Sequence, residues 1–113
     1  MKIRNKNHKI DLQVYGISVH AKAEWSFKDR VIFYVAQDGF LGLGSEGLSE
    51  IEVVDNSLSD EFNLHTRSDE DGFLILWRHF KDIEHLARLI DLDPDTVTAF
   101  EEARKARIRP PSL

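Results

Sequence analysis

The sequence predicts an α+β fold: a twisted antiparallel sheet of about five or six strands with two C-terminal helices packed on one face. Three observations carry that expectation. Apolar residues recur at every second position over much of the first two-thirds of the chain. Asp-Gly pairs, which favour the positive backbone angles of tight hairpins, stand at Asp38-Gly39 and Asp71-Gly72. The last third switches to helical spacing.

The strands are justified in order. Ile10, Leu12 and Val14 alternate with polar residues, and Gly16 is placed to turn or bulge the chain before a longer run. In that run, Ile17, Val19, Ala21, Ala23, Trp25 and Phe27 form the face expected to be buried, and Ser18, His20, Lys22, Glu24 and Ser26 the face expected to be wet. Val31 to Ala36 and Phe73 to Trp77 are apolar on both faces, as central strands covered on each side require. Phe62 to Arg67 and Ile51 to Val54 supply further strands, while Gly42 to Ser49 and Asn56 to Asp60 read as loops. Ile10 to Val14, if it lies at an edge, offers a site for pairing between copies.

The helices have clearer signatures. Ile83, Leu86, Ala87 and Ile90 fall at i, i+3, i+4 and i+7, giving an apolar stripe on a helix starting near Lys81. Asp93 is the N-cap of a second helix, with Pro94 at its first position, Val97 and Phe100 turned inward, and Arg104, Lys105, Arg107 and Arg109 toward its C-terminal end. Pro110-Pro111 ends it. The 113 residues therefore read as one domain over 1–113, strand-rich over 8–79, with a helical pair over 81–108 and a frayed tail over 109–113. No apolar run approaches the roughly 20 residues that span a bilayer, and no signal peptide is expected from the polar, basic first residues. A cytoplasmic location is the expectation. The absence of cysteine excludes thiol catalysis, thiolate metal sites and disulfides.

Charge is distributed unevenly. Residues 1–37 carry seven Lys/Arg against three acids, whereas residues 38–71 carry ten acids against Arg67 alone. Such a field repels phosphate backbones and attracts basic proteins. The expected partner-binding residues are Glu46, Glu50, Glu52, Asp55, Asp60, Glu61, Asp69, Glu70 and Asp71, and the expected partner is a basic protein. The leading reading is a non-enzymatic binding module, in its concrete form an acidic inhibitor or immunity-type protein that neutralises a basic enzyme such as a nuclease. An aromatic anchor beside the acidic loops would strengthen such an interface, with Tyr15, Tyr34 and Phe40 the least constrained by pattern, although core packing suits each better.

Other constellations point less far. The spacing from Leu86 to Glu101 resembles a helix-turn-helix unit, which implies a DNA-binding transcriptional regulator as the alternative. Asp91 replaces the usual turn glycine, and the early exposed positions of the second helix include Asp95, Glu101 and Glu102 with no side chain suited to base edges. Nucleic acid is therefore disfavoured as a partner. Gly42-Leu43-Gly44-Ser45-Glu46-Gly47 matches G-x-G-x-x-G, but the strand-like residues that follow leave no room for the helix a dinucleotide needs, so no cofactor is expected. The five histidines lack metal-ligand spacing; His79 and His85 lie six apart across a strand-to-helix boundary, and His20 and His65 are placed on polar strand faces where they can meet across neighbouring strands. No metal and no catalytic residue is assigned. A small-molecule site between sheet and helices would require a pocket holding at least two polar groups with shifted pKa values.

Overall fold

A computed structural model describes residues 1–20, 31–37, 39, 41–58, 61–66 and 72–108. It is an α+β structure with seven strands: β1 (Lys2–Asn5), β2 (Asp11–His20), β3 (Val31–Ala36), β4 (Gly44–Gly47), β5 (Ile51–Asp55), β6 (Phe62–Thr66) and β7 (Gly72–Trp77). A short 3-10 turn, Leu48–Glu50, joins β4 to β5, and the chain ends in helices α1 (Ile83–Ile90) and α2 (Pro94–Ile108). Every strand pair is antiparallel.

The ten-residue β2 organises the sheet. β3 runs along one side of it from Gln13 to Val19, and β4 pairs outside β3. The other side is divided. β1 pairs with Asp11 to Gln13 and carries β5, whereas β7 pairs with Gly16 to His20 and carries β6. At the division the register to β3 jumps from Val14↔Val35 to Gly16↔Tyr34, leaving Tyr15 as the extra residue of a bulge. The bulge resets the alternation, so Leu12, Val14 and Ile17 share one face while Tyr15 crosses to the other. A side chain at Gly16 would place Cβ 3.1 Å from Leu76 Cδ2, which is why the close crossing suits glycine.

Each face has its own core. On the helix side, Tyr15, Leu74, Leu76, Trp77 and Phe80 pack against Leu86, Leu89, Val97 and Phe100. Aromatic edges dominate, with the Tyr15 ring 5.0 Å from Trp77 and 5.3 Å from Phe100. On the opposite side, Ile3, Leu12, Val14, Ile17, Phe33, Val35 and Ile51 form an aliphatic core. Among the described residues no helix contributes to it; the sheet rolls around it. Asn5 of β1 donates through Nδ2 to Glu46 Oε2 of β4 at 2.9 Å, although in a flat sheet two intervening strands would hold those backbones about 14 Å apart. The three-residue turn from β4 to β5 spans the same mouth, because those strands are the two ends of the order β4-β3-β2-β1-β5.

Several sequence expectations are corrected. The strand-rich part begins at Lys2 rather than 8, because Ile3 alone anchors a short polar strand in the aliphatic core. Gly44–Gly47 is a strand rather than a loop, held by backbone pairing to β3 that needs no side-chain pattern. The segment from Ile10 to Val14 is central, flanked by β1 and β3, rather than an edge. Gly16 bulges one continuous strand instead of separating two. The polar face of β2 is not wet: Ser18 and His20 are 1% and 9% exposed and share a hydrogen bond of 2.8 Å between Oγ and Nε2. Leu74, which lies opposite Ser18 on β7, packs in the helix-side core, so that face is interior. The Ala21 to Phe27 part of the long strand, Asp38, Asp71 and the tail over 109–113 lie outside the described residues.

The helix starts follow their caps. Asp82 Oδ1 accepts from the His85 backbone N–H at 2.9 Å, so α1 begins at Ile83. Asp93 caps α2 as expected, accepting from both the N–H and the hydroxyl of Thr96, and these bonds hold its carboxyl below the usual range. Between the helices the chain turns in a Schellman motif, with Asp93 N–H bonding Arg88 O and Leu92 N–H bonding Leu89 O. The left-handed residue is Leu92, at φ 60°, one place beyond Asp91.

Candidate protein-binding surface

The surface is built by the strand at one end of the rolled sheet, β5, and the segments on either side of it. From Leu48 to Leu58 the chain pairs on one side only among the described residues, with β1, and its outer side chains meet solvent. Leu48, Val53, Val54 and Leu58 are 47%, 48%, 43% and 41% exposed. Glu50, Glu52 and Asp55 stand between them and are exposed as well. The register to β1 shifts between Lys2 and Ile3, leaving Val54 unpaired as a bulge.

The sequence-predicted acidic residues divide sharply. Glu50, Glu52 and Asp55 come together on the 3-10 turn and β5. Glu46 is half-buried and spent on Asn5, a structural tie across the mouth of the rolled sheet. Glu61 lies at the start of β6, on the other branch, where its carbonyl accepts from Arg78 N–H at 2.6 Å. Asp60, Asp69, Glu70 and Asp71 lie outside the described residues.

Folding also changes the electrostatics. The basic N-terminal segment of the sequence becomes β1, directly beside the acidic segment: Arg4 lies opposite Glu52 and Lys2 opposite Asp55. Arg4 Nε is 2.7 Å from Asp11 Oδ1, and this hydrogen-bonded pair raises the pKa of Arg4 and lowers that of Asp11. Lys6 Nζ donates to Ser49 O at 3.1 Å. Asp55 is held below the ordinary carboxylate range chiefly by the Ser57 backbone N–H, 2.9 Å from its Oδ1. Glu52 and Asp55 thus each have a β1 cation beside them on the same face, so the field is short-ranged and screened within about one Debye length.

The remaining candidates resolve into structural roles. Gly42, first of the glycine motif, has φ 76°, and a Cβ there would lie 2.9 Å from Leu92 Cδ2 and 3.4 Å from Leu89 O. The glycine lets the β3–β4 connection pass close under the end of α1, a reason unrelated to phosphate. In the helix pair, Arg104 is 6% exposed, with Nε 3.7 Å from Glu101 Oε2, so this cation turns into the fold rather than outward. Tyr15 is a core residue and Tyr34 packs against the same core, while Phe40 lies outside the described residues.

Sequence spacing missed one pair. His79 and His85 meet with ring centroids 5.2 Å apart, and His79 also lies 5.2 Å from Trp77 and 5.7 Å from Phe80. His79 Nε2 is buried with no hydrogen-bond partner among the described residues. Burial is the main cause that lowers both pKa values, reinforced at His79 by His85 and at His85 by Arg88. The pair is made by the chain folding back after β7, which no periodicity within one element reports. His20 and His65 do not pair across adjacent strands, because β7 lies between β2 and β6. Among the described residues no three His, Asp or Glu side chains gather as metal ligands.

Clefts of about 280, 300 and 360 Å³ open on the surface. The largest is lined by Lys2, Asp11, Gln13, Tyr15 and Arg104 among others, and of its groups Asp11 has its pKa lowered, by its bond to Arg4. No helix among the described residues is long and apolar enough to cross a membrane. No family model, no curated protein and no solved structure matches the chain.

Proposed function

We propose that this chain is a non-enzymatic protein-binding module acting in the cytoplasm, whose basic protein partner docks on the outer surface of Leu48 to Leu58. One observation carries the reading: four apolar side chains, Leu48, Val53, Val54 and Leu58, and three carboxylates, Glu50, Glu52 and Asp55, are all exposed along one short segment that is paired on one side only among the described residues. Exposed apolar side chains and charge together on one strand edge are the two materials of an interface, the first supplying buried area and the second steering and register. Because Lys2 and Arg4 lie beside Asp55 and Glu52 on the same strand face, the apolar residues set the affinity and the carboxylates select a cationic partner. In its concrete form the module is an inhibitor or immunity-type protein for a basic enzyme such as a nuclease, with the carboxylates occupying positions built for phosphate.

The test is affinity capture from the native host at low and moderate salt, with copurified proteins and nucleic acids both identified. The expected result is one stoichiometric basic protein, weakened by salt and lost when Glu50, Glu52 and Asp55 are all changed to Lys. Recovery of a defined DNA segment, or capture unaffected by the triple reversal, would overturn the reading.

A further inference from the structure

A second surface lies at the far end of the other branch. β6 pairs with β7 in an unbroken register from Phe62↔Trp77 to Thr66↔Phe73. Arg78 N–H bonds Glu61 O just before that register begins. In an antiparallel ladder, alternate residues turn both their N–H and C=O toward the partner strand. Glu61, Asn63 and His65 therefore face β7, and Phe62, Leu64 and Thr66 turn their backbone groups outward. No strand takes them up among the described residues.

Edges of this kind are normally blunted by charge, proline, bulges or shortness. β5 has Glu52, Asp55 and the Val54 bulge; β4 is four residues long with glycine at both ends. β6, also five residues long, lacks charge, proline and bulge: Phe-Asn-Leu-His-Thr contains no Lys, Arg, Asp, Glu or Pro, and its register is regular. Leu64 is 65% exposed.

We propose that β6 pairs with β6 of a second copy of this chain, antiparallel, with Leu64 on the two-fold axis. The strand is self-complementary in that register. Leu64 meets Leu64 and Phe62 meets Thr66, so the outward-turned residues of the two copies fall in phase and exchange roughly six backbone hydrogen bonds. The same operation on β5, about Val53, would set Glu52 against Val54 and Asp55 against Ile51, each carboxylate on an apolar side chain, and the Val54 bulge breaks the register, which is the argument for a copy at β6 rather than at β5. Pairing also extends the lateral row Phe33, Ile17, Ile75 and Leu64 into the second copy. One five-residue strand from each copy gives an interface at or below the small end of specific interfaces, so the dimer is concentration-dependent.

Sedimentation velocity of the full chain over a wide concentration range tests this. The wild type should pass from monomer to dimer. Leu64→Lys, which sets two ammonium groups on the axis, should weaken the dimer at least tenfold. Leu64→Pro removes an outward N–H without touching the β7 ladder and should act in the same direction, while Val53→Lys on β5 should leave dimerisation unchanged. Far-ultraviolet circular dichroism of each variant checks that the monomer keeps its strands. A wild type that stays monomeric throughout, or a dimer indifferent to both Leu64 changes or broken by Val53→Lys, would overturn the proposal.

Discussion

The two branches attached to the divided side of β2 are made of different materials. The β1–β5 branch wraps an aliphatic core of Ile3, Leu12, Val14 and Ile51, with ion pairs such as Arg4–Asp11 confined to the rim. The β7–β6 branch lies under the helices on an aromatic core of Tyr15, Trp77, Phe80 and Phe100, with His79 and His85 packed at its border. A single extra residue, Tyr15, makes both possible, because the bulge shifts the alternation so that Ile17 joins Leu12 and Val14 on the aliphatic face while Tyr15 serves the aromatic one. The difference teaches that one sheet can give its parts separate sensitivities: rolled aliphatic packing responds mainly to lost volume, whereas helix packing over histidines responds to pH as well.

The largest effects test whether the two cores are separately essential. Phe100→Ala should cost about 3–5 kcal/mol, since it removes a fully buried ring that touches Tyr15, Trp77 and Phe80. Ile3→Ala should cost about 2–5 kcal/mol, because Ile3 is the side chain by which β1, and through it β5, is anchored. Chemical denaturation gives both totals. Hydrogen exchange distinguishes them: the first should raise exchange in β7 and the helices, the second in β1 and β5. Equal loss of protection everywhere in both variants would erase the distinction between branches.

A smaller effect follows from the histidines. The folded state holds His79 and His85 below their ordinary pKa, so the unfolded chain binds protons more readily near pH 6. Their contribution is therefore complete above about pH 6.5 and is lost as pH falls toward the folded-state values. The groups acting on the pair are Lys81 and Arg88, which oppose protonation, and Asp82, which favours it at His85. Thermal unfolding between pH 8 and pH 5 should show a falling Tm, with a shallower slope in His79→Phe. Exchange should rise first around α1, not in β1 and β5.

The smallest effect lies at the helix turn. Leu92 holds φ 60° in a position that glycine takes without strain. Leu92→Gly should stabilise the chain by up to about 1 kcal/mol, less the contact its side chain makes over Gly42. Denaturant midpoints would measure the balance, and a loss of stability would show that this contact outweighs the backbone strain.

Much of the fold was legible because its signals are local. The two-sided apolar runs Val31 to Ala36 and Phe73 to Trp77 do form strands flanked on both sides, and the Asp93-Pro94 start of α2 is a cap whose chemistry is contained in four residues. What escaped sequence reading depends on register. The alternation through Ile17 correctly marks one face, but nothing local says that a bulge shifts the phase at Tyr15 or that Ser18 and His20 will be buried. β4 has no apolar pattern, since backbone bonds alone hold Gly44 to Gly47. The candidate surface was visible in part. The carboxylates of β5 stood out by composition, but the placing of Lys2 and Arg4 beside them depends on a pairing between segments some fifty residues apart. The His79–His85 contact and the outward backbone of β6 are likewise products of tertiary folding.

The functional claim rests on β5 rather than β6 receiving the basic partner, and one binding comparison tests it most directly. The partner captured from the host would be titrated by calorimetry against the wild type, against the triple reversal of Glu50, Glu52 and Asp55 to Lys, and against Glu61→Lys on the other branch. Kd should rise at least a hundredfold for the triple variant and change little for Glu61→Lys. Unchanged affinity in the triple variant, or a larger loss from Glu61→Lys, would contradict it.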